Sequence, residues 1–368
     1  MMKDVPYEDV LWDDFMKQFT LDELTAILTE NRGTQGNARA GIRDLYVADG
    51  CDGYDQGGIG DAEFVHVFDY EDTTGRYGTG KIEAASIQGA RFAGNTIYAG
   101  TFNWDIYTRR GELIAENGLW RNEQVGWNIG VDLHRTPFGG RNFEYMSEDA
   151  NLVYMASAPQ VIAMQERGYT AAPKHAAGND QEYERQGVSQ FFNEQAWREG
   201  ALRASEGAIR VGEARGYMQS LSRIGLQAAV SSYAFNTDVV RNEWGFRSYA
   251  ITDAISRSYM VGHISSRLQA GTNSFCLDRS FQIGQVATNE IRETDDGDYF
   301  NLAVRAAKDY FYMASRTNLI NGMHSDAVLV SVTPWWQTAL VVAIVVLAVL
   351  TAGSIIMTVY IDRKEHRK

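Results

Sequence analysis

Short apolar segments with β-strand character alternate along this chain with longer amphipathic segments of helical character. Segments 151–167 and 193–213 place Leu, Val, Met, Trp and Ile at helical spacing, with Asp149 and Asn193 as candidate N-terminal caps. This alternation favours an α/β architecture, because parallel strands must be joined by crossover connections that are usually helices. The predicted strands are 45–48, 127–133, 169–173, 217–221, 249–252 and 274–277.

The pattern divides the chain into regions. Residues 1–40 are polar and predict an N-terminal helical segment, in which Thr20 and Glu23 form a capping box. The α/β domain is predicted over 41–320, with the Gly-rich, acidic stretch 57–80 as an extended loop. Residues 321–338 then serve as a linker to the C-terminal segment.

A run without any charged side chain covers residues 339–361. In a helix, 23 residues span more than the roughly 30 Å hydrocarbon core of a bilayer. Trp335, Trp336 and Tyr360 are of the type that lies at the two membrane interfaces. We therefore predict a single transmembrane helix, with a buried core helix as the alternative.

The basic residues of 362–368 predict a cytoplasmic tail, which would place the α/β domain outside the cell. The first ten residues contain no apolar signal segment that could export that domain. We therefore expect that an export signal lies upstream of this sequence, or that the helix is inserted as a tail anchor.

The overall composition excludes some functions. The chain has 34 Lys and Arg against 47 Asp and Glu residues, a formal net charge of −13, which argues against binding to nucleic acid. Cys51 and Cys276 are far apart and have no nearby His pair, so neither a zinc site nor a disulfide framework is predicted. Asp49, Asp52 and Asp55 do not have the alternating spacing of a calcium loop.

Polar side chains follow several predicted strands: Asp49, Arg141, the pair Lys174 and His175, and Asp253. In a β/α barrel these strand ends share one face. Together the groups could bind the hydroxyls of a sugar and leave one carboxylate, Asp253, to attack the anomeric carbon. Retaining glycoside hydrolysis needs that nucleophile and a second carboxyl as acid/base. The alternatives are a helix-capping role for Asp253 and a solvated surface pair for Lys174 and His175.

The order of these groups resembles that of glycoside hydrolase family 3. Similar blocks are Gly-Arg-Asn-Phe-Glu followed by Ser-Glu-Asp in 140–149, Lys-His to Asn-Asp-Gln-Glu in 174–182 with Arg185, Ser-Arg-Ile-Gly in 222–225, and Arg-Asn-Glu-Trp-Gly-Phe in 241–246 before Ile-Thr-Asp253. The resemblance extends over residues 95–280 and is weaker around Asp49.

The resemblance implies a β/α barrel of the TIM type, followed here by the C-terminal transmembrane helix. It implies a β-glucosidase-like exo-glycosidase of carbohydrate metabolism that requires no cofactor or metal. Asp253 would be the nucleophile, and Asp49, Arg141, Lys174 and His175 would bind the sugar hydroxyls.

The departures from the family pattern concern the pocket and the acid/base. Cys51 replaces a Pro, and Leu221 and Ala254 replace aromatic residues. The family's acid/base Glu usually lies in a second α/β sandwich domain, so we expect it from a separate or missing domain rather than from Glu144 or Glu148. The alternatives are an inactive, membrane-anchored glycan-binding protein and a non-functional fragment.

Overall fold

The structure is a computed structural model that describes residues 2–30, 33–34, 36–37, 45–51, 67–71, 79–83, 90–121, 123–254, 264–276, 283–294, 297–319 and 335–366. The chain divides into two compact units. The first contains Met1–Asp69 and Lys81–His324, and the second contains Tyr70–Gly80 and Ser325–Lys368.

The helices of the described residues are α1 Leu11–Met16, α2 Leu21–Ala26, α3 Asn95–Ala99, α4 Trp104–Trp120, α5 Ala150–Glu166, α6 Glu194–Glu199, α7 Ala201–Glu206, α8 Ile264–Ala270, α9 Ile283–Thr294, α10 Gly297–Ala314 and α11 Trp335–Glu365. Short 3-10 turns cover Asn142–Glu144 and Ala229–Ser231, and π-helical segments cover Gly207–Val211 and Ala234–Glu243.

The strands are β1 Thr29–Glu30, β2 Gly33–Thr34, β3 Leu45–Asp49, β4 Val67–Glu71, β5 Thr79–Glu83, β6 Val125–Trp127, β7 Thr170–Ala171, β8 Ser189–Gln190, β9 Gly216–Met218, β10 Arg223–Ile224, β11 Gln227–Ala228, β12 Tyr249–Ile251 and β13 Phe275–Cys276. Strands β3, β6 and β7 pair in parallel, and β2 is antiparallel to β3. Parallel pairs also join β9 to β12 and β1 to β13.

Hydrogen bonds also connect neighbouring sheets. The Met218 amide donates to the Pro173 carbonyl at 2.9 Å, which links β9 to the end of β7. A parallel bridge between Ile251 and Ser274 links β12 to the segment that leads into β13. The described strands are nevertheless divided among separate sheets, and the predicted TIM-type barrel is not confirmed by them. The α/β class and the parallel strands agree with the prediction.

Apolar side chains of the parallel strands form the central core. Leu45, Val125, Tyr249 and Ile251 are fully buried and belong to a cluster that also contains Tyr310 of α10. Burying each such side chain contributes roughly 1.5–3 kcal/mol relative to leaving it exposed. Strands that are apolar on both faces are expected where helices cover a parallel sheet.

Local capping signals in the sequence predict the helix starts well. The Asp149 carboxylate accepts from the Asn151 amide at 2.8 Å, and α5 begins at Ala150. Thr20 and Glu23 form the predicted capping box of α2.

Several predicted elements differ from the structure. The strands predicted at 169–173 and 217–221 are observed as Thr170–Ala171 and Gly216–Met218, and the N-terminal region predicted as helical also contains β1 and β2. The strand predicted at 127–133 is wrong in its bounds, because β6 ends at Trp127 and Gly130 makes only an isolated bridge. A side chain at Gly130 would collide with the carbonyl of Glu144, which shows how closely the two segments pack. The single helix predicted over 193–213 is interrupted at Gly200, whose φ and ψ are both −106°.

The predicted loop over 57–80 contains strand β4 at Val67–Glu71 and the start of β5, which pair with each other. The rest of that loop, and most of the predicted linker 321–338, lie outside the described residues.

Helix α11 is long enough and apolar enough to cross a membrane, by length and composition. It includes the predicted span 339–361, and its apolar side chains are exposed. It is the one candidate span within the residues that the structure describes.

Candidate active site

Four of the five candidate site residues lie at or just after the carboxyl ends of parallel strands. Asp49 is the last residue of β3, Lys174 and His175 follow β7 closely, and Asp253 comes two residues after β12. Arg141 precedes the 3-10 turn that carries Glu144. Carboxyl ends of parallel strands meet at one edge, which is where polar groups from distant parts of the chain converge.

Lys174 joins two acidic groups at one end of the site. Its Nζ donates to Asp49 Oδ1 at 2.5 Å and lies 3.3 Å from Glu144 Oε1. The second oxygen of Glu144 accepts from Arg141 Nε at 2.5 Å. Glu144 therefore bridges the two cations that the sequence predicts as sugar-binding residues.

A second set of ion pairs continues from Arg141 to Asp253. Arg141 Nε lies 3.1 Å from Glu182 Oε1, and Glu182 Oε2 lies 3.2 Å from Arg185 Nε. Arg185 Nη2 donates to Asp253 Oδ2, which also lies 3.2 Å from His175 Nε2. The five predicted site residues thus belong to one continuous array of charged and polar side chains, which we call the site network.

The surroundings of Asp253 keep its carboxyl ionised. Burial alone would raise the pKa of Asp253, but the contact with His175, the charge of Arg185 and the amide of Ala254 at 2.6 Å hold the pKa well below its usual range. Burial also lowers the pKa of His175 to about 4, against the opposing attraction of Asp253. At neutral pH the site therefore contains a carboxylate next to a neutral imidazole.

Lys174 and Glu144 are likewise charged. Burial would lower the pKa of Lys174, but Asp49 and Glu144 outweigh it and raise that pKa. Burial would raise the pKa of Glu144, but Lys174 and Arg141 hold it well below its usual range. Paired charges of this kind are what allow a lysine that is only 3% exposed to remain protonated.

Glu182 differs from the other carboxyl groups in the site network. Burial raises its pKa, although Arg185 and Arg141 act in the opposite direction. Its side chain is one third exposed. The bonds to two guanidinium groups make Glu182 a link between Arg141 and Arg185.

Sequence reasoning did not assign a role to several of these residues. Glu144 was predicted not to be the acid/base, and its bridging position between Arg141 and Lys174 was not foreseen. The signal for that position is its spacing of three residues from Arg141. Arg185 was noted in a matching block but not as a partner of Asp253. Glu148, the other carboxyl considered as an acid/base, is exposed.

Tyr145 and Asn179 form a further, fully buried layer next to His175. The Tyr145 hydroxyl lies 2.9 Å from His175 Nδ1, and Asn179 Nδ2 donates to that hydroxyl at 2.8 Å. Asn179 Oδ1 accepts from Arg185 Nε at 2.8 Å. Neither Tyr145 nor Asn179 was predicted as a site residue, because nothing in the sequence shows that they meet the imidazole. Within the described residues, no group of three or more His, Cys, Asp or Glu side chains could hold a metal ion.

No protein-family model matches the chain. The chain is 32% identical over 162 residues to β-glucosidase BoGH3A of Bacteroides ovatus, which covers 44% of this chain and 22% of that protein. It is 34% identical over 161 residues to a β-glucosidase of Ruminococcus albus, which covers 43% of this chain and 17% of the relative. The aligned part is thus about a fifth of the length of these curated relatives.

The fold is similar to that of β-glucosidase 3B from Thermotoga neapolitana in complex with glucose. The TM-score is 0.69 at 20% sequence identity, and the match covers 83% of this chain and 43% of that chain. The sequence relatives and the fold agree with the blocks found in the sequence. The chain is therefore similar to β-glucosidases, in sequence over part of its length and in fold over most of it.

Proposed function

We propose that this chain carries the nucleophile and the sugar-binding groups of a retaining, β-glucosidase-like exo-glycosidase. The observation that supports this most strongly is the state of Asp253. Its side chain is 13% exposed, its carboxylate accepts from Arg185, and its pKa is held low. An ionised, oriented carboxylate is what attack on an anomeric carbon requires.

In this proposal Asp253 attacks the anomeric carbon, and the bond between that carbon and the leaving oxygen breaks. A covalent glycosyl-enzyme forms, and water then hydrolyses it. Asp49, Arg141, Lys174 and His175 bind the sugar hydroxyls. Carboxylate oxygens accept from hydroxyls, whereas ammonium and guanidinium groups donate to them. Contacts that strengthen as the transition state forms contribute directly to rate.

We further propose that the parallel strands are parts of one TIM-type barrel wall. The pairings and bridges suggest the order β3, β6, β7, β9, β12, β13 and β1. The supporting contacts between sheets are the Met218 to Pro173 hydrogen bond and the Ile251 to Ser274 bridge. This arrangement would bring the carboxyl ends of β3, β7 and β12 to one face.

The acid/base is proposed to come from a separate domain, such as an α/β sandwich. Among the described carboxyl groups of the site network, Glu144 is held ionised by Lys174 and Arg141, so it has no proton to donate. The match to the Thermotoga β-glucosidase covers only 43% of that chain, which leaves room for further domains in a complete enzyme of this type.

A glycan-binding protein without turnover is the second candidate. The observation that favours it is that two buried carboxyl groups of the described site network, Asp253 and Glu144, are both held ionised and have no proton to donate. Such a protein would retain the hydroxyl-binding groups but could not protonate a leaving group.

We also propose that α11 anchors the chain in a membrane, with the basic tail in the cytoplasm and the α/β unit outside. The apolar composition of α11 supports the anchor, and Arg363 and Lys364 in its last turn support the orientation.

The test compares two β-glucosides with the full chain in detergent. A 2,4-dinitrophenyl leaving group needs little protonation, whereas a methyl glycoside needs an acid. We expect turnover of the dinitrophenyl glycoside alone, and its loss in Asp253→Asn. Azide should restore consumption of the dinitrophenyl glycoside to Asp253→Gly and give the α-glycosyl azide. Saturable glucose binding without turnover of either glycoside would refute the enzyme and favour the binding protein.

A further inference from the structure

We infer that Tyr145 and Asn179 are positioning residues that hold His175 in a single tautomer, with its Nε2–H directed at Asp253. This inference rests on the proposed function, in which Asp253 is the nucleophile. The five side chains involved form a closed ring of four hydrogen bonds and one ion-pair contact, which we call the Asp253 ring: Arg185, Asn179, Tyr145, His175 and Asp253.

The Asp253 ring has two arms that both begin at Arg185 and end at Asp253 Oδ2. The direct arm is the hydrogen bond from Arg185 Nη2. The longer arm runs from Arg185 Nε to Asn179 Oδ1 at 2.8 Å, from Asn179 Nδ2 to the Tyr145 hydroxyl at 2.8 Å, and from that hydroxyl to His175 Nδ1 at 2.9 Å. It closes from His175 Nε2 to Asp253 at 3.2 Å.

The direction of every bond in the longer arm follows from its first member. A guanidinium group can only donate, so the atom of Asn179 that faces Arg185 must be its carbonyl oxygen. The Asn179 amide nitrogen then faces Tyr145, whose hydroxyl oxygen must accept and whose proton must point away to His175. Nδ1 of His175 therefore accepts and carries no proton, which leaves the single proton of the neutral ring on Nε2.

The last member of the arm agrees with this deduction from the opposite side. An ionised carboxylate can only accept, so Asp253 requires a donor at His175 Nε2. The Arg185 guanidinium, which can only donate, and the Asp253 carboxylate, which can only accept, thus both require the proton of His175 on Nε2. Without the Tyr145 hydroxyl, only the second of these constraints would remain.

The middle of the longer arm is sealed from solvent. Tyr145, Asn179 and His175 are each 1% exposed, so water cannot readily replace a missing member. The backbone of Asn179 is also held in place, because its N–H donates to the buried carboxyl of Asp132. When every donor and acceptor of the Asp253 ring has a partner, the contacts fix the orientation of its side chains. Removing one member leaves a buried polar group without a partner, which costs free energy.

The charged groups that face His175 act in opposite directions on whether its ring is protonated. Asp253 and Glu144 would favour a protonated ring, whereas Arg141, Arg185 and burial disfavour it. Burial dominates and keeps the imidazole neutral, but a neutral ring can carry its proton on either nitrogen. The Asp253 carboxylate favours the proton on Nε2, and the Tyr145 hydroxyl, as a donor to Nδ1, keeps the proton off that nitrogen.

The test uses the full chain in detergent with ¹⁵N-labelled histidine, and His175→Gln assigns the resonances. The nitrogen shifts of an imidazole report which nitrogen carries the proton. We expect the Nε2–H tautomer in the parent chain and a mixed or protonated ring in Tyr145→Phe. Asn179→Asp should act in the same way, because its carboxylate would draw the Tyr145 proton away from His175.

A kinetic readout accompanies the spectrum. With a 2-deoxy-2-fluoro dinitrophenyl β-glucoside, which forms a covalent adduct with a glycosidase nucleophile, Tyr145→Phe should react about tenfold more slowly, since one lost hydrogen bond is worth roughly a factor of ten. Tyr217→Phe is the matched control, because Tyr217 is also fully buried and donates to Asn236 at 2.8 Å, outside the Asp253 ring. The control should leave both readouts unchanged.

The outcomes separate the two claims. Unchanged nitrogen shifts and an unchanged trapping rate in Tyr145→Phe would overturn the positioning role, even if the parent chain forms the adduct. A parent chain with the Nε2–H tautomer, lost in Tyr145→Phe, but with no adduct at all, would support the Asp253 ring and refute the proposed nucleophile. Equal changes in Tyr217→Phe would also overturn the inference, because they would show a general effect of losing a buried hydroxyl.

Discussion

Replacement of Asp309 by Asn should destabilise the first unit severely. Asp309 lies on α10 and is completely buried. Its Oδ2 accepts from Arg241 Nη2 at 2.7 Å and from Asn273 Nδ2 at 3.2 Å, and its Oδ1 accepts from the Tyr7 hydroxyl at 2.7 Å. The carboxylate thus ties the N-terminal segment, the Ala234–Glu243 segment and the chain before β13 to one helix.

The magnitude follows from what the substitution leaves behind. The Arg241 side chain is only 7% exposed, so it would keep a buried charge without its counterion. Breaking such a pair from one side costs about 3–5 kcal/mol. The amide nitrogen of the new Asn side chain would also face a hydrogen-bond donor, because both oxygens of Asp309 accept hydrogen bonds in the parent chain. Since typical domains are stable by about 5–15 kcal/mol, the loss is a large fraction of the total.

The assay is urea unfolding of the full chain in detergent, followed by tryptophan fluorescence. Asp238→Asn, which removes an exposed carboxylate, should change the free energy of unfolding by less than about 0.5 kcal/mol. The double variant Arg241→Met with Asp309→Leu should be much less destabilised than Asp309→Asn, because it removes both charges. A loss below about 1 kcal/mol in Asp309→Asn would refute the reasoning.

Three further predictions concern packing and pH. Gly111→Ala on α4 should cost about 1–2 kcal/mol in urea unfolding, because its new Cβ would collide with the Gln160 backbone of α5, whereas Gly297→Ala, with open space around its Cβ, should stay within about 0.5 kcal/mol. The pKa of His175 is lowered to about 4 in the native chain. In mildly acidic solution its imidazole is therefore protonated in the unfolded chain and neutral in the native chain. The free energy of unfolding should therefore fall by about 1.5 kcal/mol between pH 6.5 and pH 5, and this component should be missing in His175→Gln. The pH dependence of stability that comes from Asp132 has the opposite sign. Burial and a neighbouring acid raise the pKa of Asp132 to about 7, so the native chain keeps a proton on this carboxyl that the unfolded chain loses. Stability from this group should decrease by about 2–3 kcal/mol from pH 5 to pH 7, and a wild-type minus Asp132→Asn difference that does not change with pH would contradict the assignment.

The elements that the sequence predicted correctly depend on local signals. The caps Asp149 and Asn193 bond to amides only two or three residues away, so short-range spacing reveals them. Strand β12 was predicted as a buried apolar segment and was found within one residue. The break at Gly200 was missed, because a glycine within a long amphipathic pattern does not by itself show that the helix ends there.

The site was predicted in its outline and missed in its connections. Strand-end position and the family resemblance brought out Asp49, Lys174 and Asp253. The contact between Lys174 and Asp49 joins residues 125 positions apart, and the contact between Arg185 and Asp253 joins residues 68 positions apart. Pairings of this range depend on which strands lie side by side, which a single sequence does not specify. For the same reason Tyr145, whose partner is 30 positions away, could not be assigned to the site.

The most direct test of the nucleophile is intact mass measurement after incubation with the 2-deoxy-2-fluoro dinitrophenyl β-glucoside, followed by peptide mapping. We predict one added fluoroglucosyl group per chain, located on Asp253 and absent in Asp253→Asn. An unmodified mass from a sample that shows cooperative urea unfolding, or an adduct on any other residue, would contradict it.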